Sequence, residues 1–441
     1  MNFAWMVRAL RSRNYRLFFS GQIISLVGNW MTTLATSWLV YKLTNSELAL
    51  GTVAFAGQIP SFLIAPFAGV WVDRLNRHRL LKITQTLAMV QSFLLAALAL
   101  IHLNGSPLPI ITVPQIIALS VFQGLINSFD MPARQSFVVQ MIEHKEDLSN
   151  AIALNSSMVN AARLVGPAIA GVVIAFVGEG WCFFIDGVSY IAVLISLFLM
   201  NVETLPSTRA RQSPSRELRD GWNYVVSSPP IRMVLTLMAW VSLLSLPYTV
   251  LMPIVAREIL HGDAKTQGAL MTASGVGALT GALMLAARKS VLGLGRLIPT
   301  ATAILGVGLV AFSFSKLFWL SLLLMPLAGF GFMVQMASSN TLLQTIVDDN
   351  MRGRVMSFYS MAFMGTIPFG SLMAGVLAKF LGVPHTILLS GGFALLAAAW
   401  FASQLPVFRD SLRPIYRELG ILPAEIAGVN NAANLASEIN R

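Results

Sequence analysis

Twelve stretches dominated by apolar residues follow one another along the chain, at roughly 16–42, 48–72, 80–103, 110–141, 150–178, 181–201, 231–257, 266–287, 296–315, 317–347, 354–381 and 385–404. A helix needs about 20 apolar residues to cross the hydrocarbon core of a bilayer, so the pattern predicts twelve membrane-spanning helices. Several runs exceed about 25 residues, the length of a tilted helix that protrudes from the membrane. A membrane β-barrel would instead show short alternating segments. These runs are continuous and rich in Leu, Ala, Gly and Met. Between the sixth and seventh lies NVETLPSTRARQSPSRELRDGWNYVVSSPP, a polar, basic, Pro/Ser-rich stretch with the character of a linker. The expected organisation is a six-helix bundle over 1–202, a linker over 203–229, a second six-helix bundle over 230–405 and a polar tail over 406–441.

Composition agrees. Of 441 residues, 56% are hydrophobic and only 11% charged, against about 25% charged in soluble proteins. The positions of the 30 Lys and Arg then set the orientation. With spans alternating in direction, 23 fall on the side that holds both termini, five on the other side, and two, Arg134 and Arg163, inside spans. Basic loops stay in the cytoplasm, so both termini are expected there. The net charge of +11 is thereby a topology signal and a contact for anionic lipid, and nucleic acid is not expected as a partner. The N-terminal MNFAWMVRALRSRNYR has no short apolar core followed by a small-residue cleavage site, so the first span is expected to act as its own insertion signal.

Enzymatic chemistry finds no footing. No phosphate-cradling Gly loop precedes a Lys-Ser/Thr pair. The single cysteine, Cys182, excludes an internal disulfide and a cysteine-rich metal site. His78, His102, His144, His261 and His385 sit in loops or at span ends, and none forms a metal pair. Neither a cofactor nor a metal is expected.

The halves resemble each other. FQGLINSFDMPARQSFV from Phe122 precedes LAGFGFMVQMASSNTLL from Leu327 by about 205 residues, each with Gly at its third position. Further on, GPAIAGVVIAFVG from Gly166 parallels GSLMAGVLAKFLG from Gly370. Two weakly repeated six-span halves are the mark of a secondary transporter whose site lies between them.

After the second span comes GVWVDRLNRHRLL, Gly69 to Leu81. Gly69 permits close helix approach, Asp73 ends the span, and Arg74, Arg77 and Arg79 form a basic turn. This stretch resembles the G-x-L-a-D-r-x-g-r-k signature of the major facilitator superfamily, with Trp71 for Leu and Asn76 for Gly. With twelve spans and a central linker, the resemblance covers about residues 10 to 405. It implies a fold of two pseudo-symmetric all-α six-helix bundles working by alternating access. It also implies a gate in which Asp73 leans on the N-terminus of the eleventh span beside Arg352 and Arg354. A helix N-terminus stabilises a carboxylate by about 0.3–1 kcal/mol when exposed. The matching loop of the second half, GALMLAARKSVLGLGR from Gly281, has no acid there, so the gate is expected to be one-sided. Gly166, Pro167 and Gly171 in the fifth span resemble the G-P-x-x-G-G antiporter motif, with Ala170 for one Gly. Small residues allow tight helix contact and Pro bends the span, so packing alone remains an alternative to an exporter signature.

The fourth span has Ser120 where many drug antiporters carry the Arg of R-x-x-Q-G. Instead it carries FDMPARQ. That segment, with SNAIALNSS, the R-x-x-G-P of the fifth span and RGRVMSFYSM of the second half, resembles the enterobactin-exporter and macrolide-efflux branch. Where that branch often reads Pro-Glu, this chain has Val139-Gln140, which removes an acid from a charge relay to the Arg77 loop.

Asp130 and Arg134 share a helix face. Asp130 and Arg163 both lie about 12 or 13 residues above the basic side, roughly 18–20 Å up adjacent spans at 1.5 Å per residue. An Asp130–Arg163 pair is therefore expected, with Arg134 one turn lower. Ionisable residues at this depth mark functional sites by default, although the three can equally hold spans four and five together. Asp130 is the candidate for protonation. A neighbouring cation favours its charged form, which opposes that role unless cargo breaks the pair. The second half offers Gln335, Ser338, Ser339, Asn340 and Gln344, and the first span Asn29, Trp30 and Thr33, as polar groups in an otherwise apolar cavity. Asp186 is expected to be an interfacial acid near the outer surface.

The reading is a monomeric, proton-coupled exporter of a small amphipathic or anionic molecule, such as a siderophore, drug or related metabolite, in a bacterial cytoplasmic membrane. A lipid or metabolite importer or flippase of the same fold stays open, as does a non-transporting membrane receptor or assembly factor.

Overall fold

The computed structural model describes residues 7–101, 109–201, 214–288 and 290–421. For Ala65, Pro66, Gly69, Val70, Asp73, Arg74, Lys145 and residues 214–218 it describes the backbone course alone. The first part of the expected linker, His102 and the end of the tail lie outside these residues.

All twelve expected spans are helices long and apolar enough to cross a membrane. They are Arg13–Thr44, Glu47–Arg74, Arg77–Leu100, Val113–Met141, Leu148–Val177 and Glu179–Leu199 in the first half. In the second half they are Pro229–Ile259, Ala264–Ala286, Leu294–Phe314, Phe318–Ile346, Asp349–Leu381 and Val383–Ser403. Their ends are written locally. The Ser46 hydroxyl accepts from the Ala49 N–H, and the Asn76 side chain from that of Arg79. Thr112 and Gln115 form a reciprocal capping box, and Asp263 accepts from both Lys265 and Thr266. Each satisfies N–H groups that the first helical turn leaves without partners.

Two spans are irregular in ways that periodicity does not announce. The seventh is a regular helix only to Trp240; beyond it, wide and tight turns alternate through Pro247 and Pro253 to Ile259. Proline removes an N–H from the ladder and forces such adjustments. The eleventh breaks at Gly365–Thr366, just before Pro368, into Asp349–Met364 and Ile367–Leu381. The stretch expected to be a plain linker contains an amphipathic helix, Pro214–Ser227, and the tail another, Leu405–Glu418. The second buries Phe408, Leu412 and Tyr416 against the bundle and leaves Arg409 and Arg413 exposed.

Where soluble proteins would be polar, the outside of the bundle is apolar. Phe176, Trp319 and Phe380 are each about three-quarters exposed, as a lipid-facing surface requires.

Contacts between the halves concentrate at the end opposite the termini. Span five packs on span eight, and span eleven on span two. Both seams are built on glycine. A Cβ on Gly171 would stand 2.8 Å from the Ala264 carbonyl oxygen, and one on Gly268 3.1 Å from the Gly171 Cα. Correspondingly, a Cβ on Gly375 would stand 2.7 Å from the Glu47 carbonyl oxygen and 3.1 Å from the Gly51 Cα. Gly171 and Gly375 are equivalent positions of the internal repeat, so one sequence motif closes both seams. Its last glycines are equivalent too: Gly178 and Gly382, at φ of 94° and 82°, turn the chain into spans six and twelve. Hydrogen bonds across the seam run from Gln267 to the Ser37 hydroxyl at 3.0 Å and from Arg257 to the Asn45 side chain at 3.2 Å.

A side chain at either seam glycine must therefore push the halves apart. With Ser37→Cys and Gln267→Cys introduced together, oxidative cross-linking is expected to be efficient in the otherwise native chain. It is expected to fall sharply once Gly171→Leu or Gly375→Leu is added. Unchanged cross-linking in both would show that the glycines do not hold this end shut.

Candidate functional site

The charge anomaly of span four resolves into a compact polar cluster inside the first half. Asp130 is 4% exposed. Its Oδ1 accepts from Thr84 Oγ1 and Gln85 Nε2 of span three, both at 2.7 Å, and its Oδ2 pairs with Arg134 one turn along its own helix. The expected partner was Arg163, and the structure corrects this. Arg134, four residues on, shares the face of Asp130 and reaches it directly, whereas Arg163 points to the seam between the halves. Around the pair is a polar cavity lined by Gln22, Ser25 and Asn29 of span one, Gln85, Gln123 and Asn127, with Tyr190 of span six. Of the other span-one candidate, the Thr33 hydroxyl donates to the Asn29 carbonyl of its own helix.

Arg163 is half-buried on span five and finds no carboxylate within ion-pair distance among the described residues. Aromatic faces take the place of an anion. Its guanidinium lies 5.1 Å from the ring centre of Trp30, on span one, and 5.9 Å from that of Phe332, on span ten of the other half. A guanidinium is weakly hydrated and stacks well on aromatic rings, so this arrangement tolerates the charge while leaving its N–H donors without a partner among the described residues. Trp30 is fixed in turn by Gly166, where a Cβ would stand 2.5 Å from the Trp30 Cβ.

The polar candidates of span ten separate. Gln335, Ser338 and Ser339 are fully buried within the second half, so they do not face an open cavity in this arrangement. Asn340 and Gln344 bond to each other on the exposed side. The expected gate is also partly committed elsewhere. Arg352 pairs with Asp349 at 2.6 Å, and Arg354 approaches Asp220 of the linker helix at 3.9 Å. Tyr224 of that helix donates to Asp348 at 3.1 Å. The side chains of Asp73 and Arg74, and the surroundings of Gly69, lie outside the described residues, as does any contact they make with span eleven.

Asp186 is the residue whose setting the sequence concealed. Instead of an interfacial position it is 2% exposed, between spans one, three and six. Thr32 Oγ1 and Ser92 Oγ donate to its Oδ2 at 2.8 and 2.9 Å. Span six carried a usable signal: Cys182, Asp186, Ser189, Tyr190, Val193 and Leu197 recur at helical spacing, and all are buried. An acid on that stripe faces protein rather than water.

Comparison with known proteins fixes the family. Residues 6–416 match the family described as transmembrane secretion effectors. The chain belongs to this family, within the major facilitator superfamily. Among relatives of these secretion effectors, the staphyloferrin A transporter of Staphylococcus aureus is 26% identical over 85% of this chain and 92% of its own. The multidrug efflux pump Tap of Mycolicibacterium fortuitum is 25% identical over 87% and 93%. Macrolide efflux protein A of Streptococcus pyogenes is 21% identical over 86% and 93%. In fold, the chain resembles an inward-facing bacterial homologue of the lysosomal transporter Spinster, with a TM-score of 0.70 at 13% identity over 91% of this chain and 98% of that one. A bacterial homologue of the iron transporter ferroportin gives 0.66 at 16% identity over 89% and 98%. The protein is thus a multi-pass membrane transporter of the major facilitator fold, and not an enzyme.

The cluster geometry carries a stability consequence. Arg134→Gln leaves the Asp130 carboxylate buried without its cation, which costs about 3–5 kcal/mol. The double variant Asp130→Asn with Arg134→Gln removes both charges and is expected to regain most of the loss. Thermal unfolding of the detergent-solubilised protein reads the difference. Equal melting of single and double variants would show that the pair is not coupled.

Proposed function

We propose that the protein is a secondary exporter, driven by the proton gradient, whose cargo is a small molecule with an anionic group and an apolar or aromatic body. The observation that carries this reading is Arg163. It is a cation at the seam, without a carboxylate partner among the described residues, set between an aromatic ring from each half. An incoming carboxylate would take up the free guanidinium donors, and Trp30 and Phe332 would flank an apolar body. Because the two rings belong to different halves, cargo bound there would sense their relative movement, which is what alternating access requires.

The direction of transport rests on three supports. Relatives of similar length are named for siderophore transport, multidrug efflux and macrolide efflux. The Gly166-Pro167 motif supplies the close contact with Trp30. The Lys and Arg distribution favours cytoplasmic termini, in a bacterial inner membrane, by the positive-inside rule. With that orientation the glycine seams lie on the outer side, which suits an exporter that loads from the cytoplasm. Asp130 accepts from three donors, one of them the cation Arg134, and ties spans three and four together.

Inverted membrane vesicles with an imposed pH gradient test the reading, with staphyloferrin A and a macrolide as the two probes. Gradient-dependent accumulation of the anionic siderophore is expected. Arg163→Ala should reduce it about ten- to a hundredfold, equivalent to the about 1.5–3 kcal/mol of a charged hydrogen bond. Arg163→Lys should fall between, since an ammonium keeps the charge but loses the planar stacking. Accumulation of both probes that ignores the Arg163 substitutions would overturn the cargo assignment. Accumulation that ignores the gradient would overturn the coupling.

A further inference from the structure

A carboxyl group buried at membrane depth needs either a cation or a proton. Asp130 has the cation. Asp186 has none among the described residues, and its two oxygens are treated differently. Oδ2 accepts from the Thr32 and Ser92 hydroxyls. Oδ1 is buried and has no hydrogen-bond partner among the described residues. Span one also presses on it: a Cβ at Gly28 would stand 2.6 Å from Oδ1 and 3.0 Å from the Asp186 Cα. Two neutral hydroxyl donors on one oxygen, and an enclosed, unpartnered second oxygen, suit a neutral acid carrying its proton on Oδ1 better than a full carboxylate.

We propose that Asp186 is the proton-carrying group of this transporter, a neutral acid in the arrangement seen here that becomes a carboxylate elsewhere in the cycle. This rests on the reading of the protein as a proton-coupled exporter and moves the proton from Asp130 to span six. The groups facing it are few. Span one presents Thr32 and Gly28, and span three presents Ser92. Span six itself brings Cys182 one turn before, Ser189, whose hydroxyl donates to the Asp186 backbone carbonyl at 2.7 Å, and Tyr190 one turn after. Charged groups on the helices packed here are the Lys42–Glu179 ion pair at the end of span six, the Asp130–Arg134 pair and, beneath Trp30, Arg163. Tyr190 also lines the polar cavity around Asp130.

Span one also supplies the coupling. Thr32 holds Asp186, and Trp30, two residues earlier, covers Arg163. When Asp186 gives up its proton, the carboxylate must draw in donors for both oxygens. The Thr32 donor and the tight contact at Gly28 lie on the turn of span one that carries Trp30, while the second donor, Ser92, lies on span three. Loss of the proton and rearrangement of the Arg163 pocket are thereby linked through one helix turn.

Infrared difference spectroscopy of the purified full-length protein, titrated with acid and base, tests this without any cargo. The expected result is a carboxylic-acid carbonyl band near neutral pH that is lost in Asp186→Asn and kept in Asp130→Asn. Thr32→Val combined with Ser92→Ala should keep that band and shift its frequency, because its hydroxyl donors are gone; this arm decides the matter if Asp186→Asn does not fold. A band that survives Asp186→Asn, a band lost only in Asp130→Asn, or no acid band in the native protein overturns the proposal. In the vesicle assay, Asp186→Asn should abolish the dependence of flux on the pH gradient, and unaltered dependence overturns the carrier role. If the native protein shows the Asp186 band but no gradient-driven flux, the coupled-exporter reading fails while Asp186 remains a protonated acid. Gradient-driven flux without the band leaves the coupled exporter standing and removes Asp186 as its proton carrier.

Discussion

Charge within a hydrocarbon slab must be answered by the protein itself, and the interior of this transporter is organised by how three ionisable side chains meet that demand. Asp130 is answered fully by an arginine one turn away and by two donors from span three. Arg163 is answered by two aromatic faces, which satisfy its charge and not its hydrogen-bonding capacity. Asp186 is answered on one oxygen only. Completeness of the answer separates their roles. A saturated ion pair fixes helices to each other, whereas a partly satisfied group retains the capacity to bind something that comes and goes.

Around these groups the closest approaches between the two halves are made at glycines. Helix association in a membrane draws little on the hydrophobic effect, because lipid tails are as apolar as the helices. Close backbone approach supplies the contact instead, and the paired glycines of spans five and eight and of spans two and eleven provide it. Such a seam is shallow and reversible, as a transporter that must part its halves requires. The arginine pocket lies just inside this seam, against Leu164, which packs on Gly275 and accepts from Thr272 across the interface. Closing the far end and assembling the aromatic clamp therefore depend on the same helices.

Much of this was open to a reader of the sequence, and the exceptions have physical causes. The twelve spans stand out because bilayer thickness imposes a length that few other structures share. The repeat stands out because Gly166, Gly171 and Gly178 recur as Gly370, Gly375 and Gly382, and a backbone approach or a positive φ leaves few other choices. The Asp130–Arg163 expectation failed because depth along a helix can be counted from a loop while rotation about the helix axis cannot. At similar height the two residues face different neighbours. Helical spacing puts Gln335 and Ser339 on one face, and only the tertiary structure shows that this face is buried in the present arrangement.

The sequence alone determined that this chain crosses a membrane twelve times, in two related halves with a basic side, and that its ionisable residues in the spans are few enough to name. These follow from hydrocarbon thickness, the cost of burying charge and the electrostatics of insertion, all of which act on the chain locally. Tertiary structure alone decided which charges meet, that Arg163 faces rings from both halves, and that Asp186 is enclosed by hydroxyls. Those outcomes depend on the relative rotation and register of helices brought together from distant parts of the chain. No local propensity encodes them.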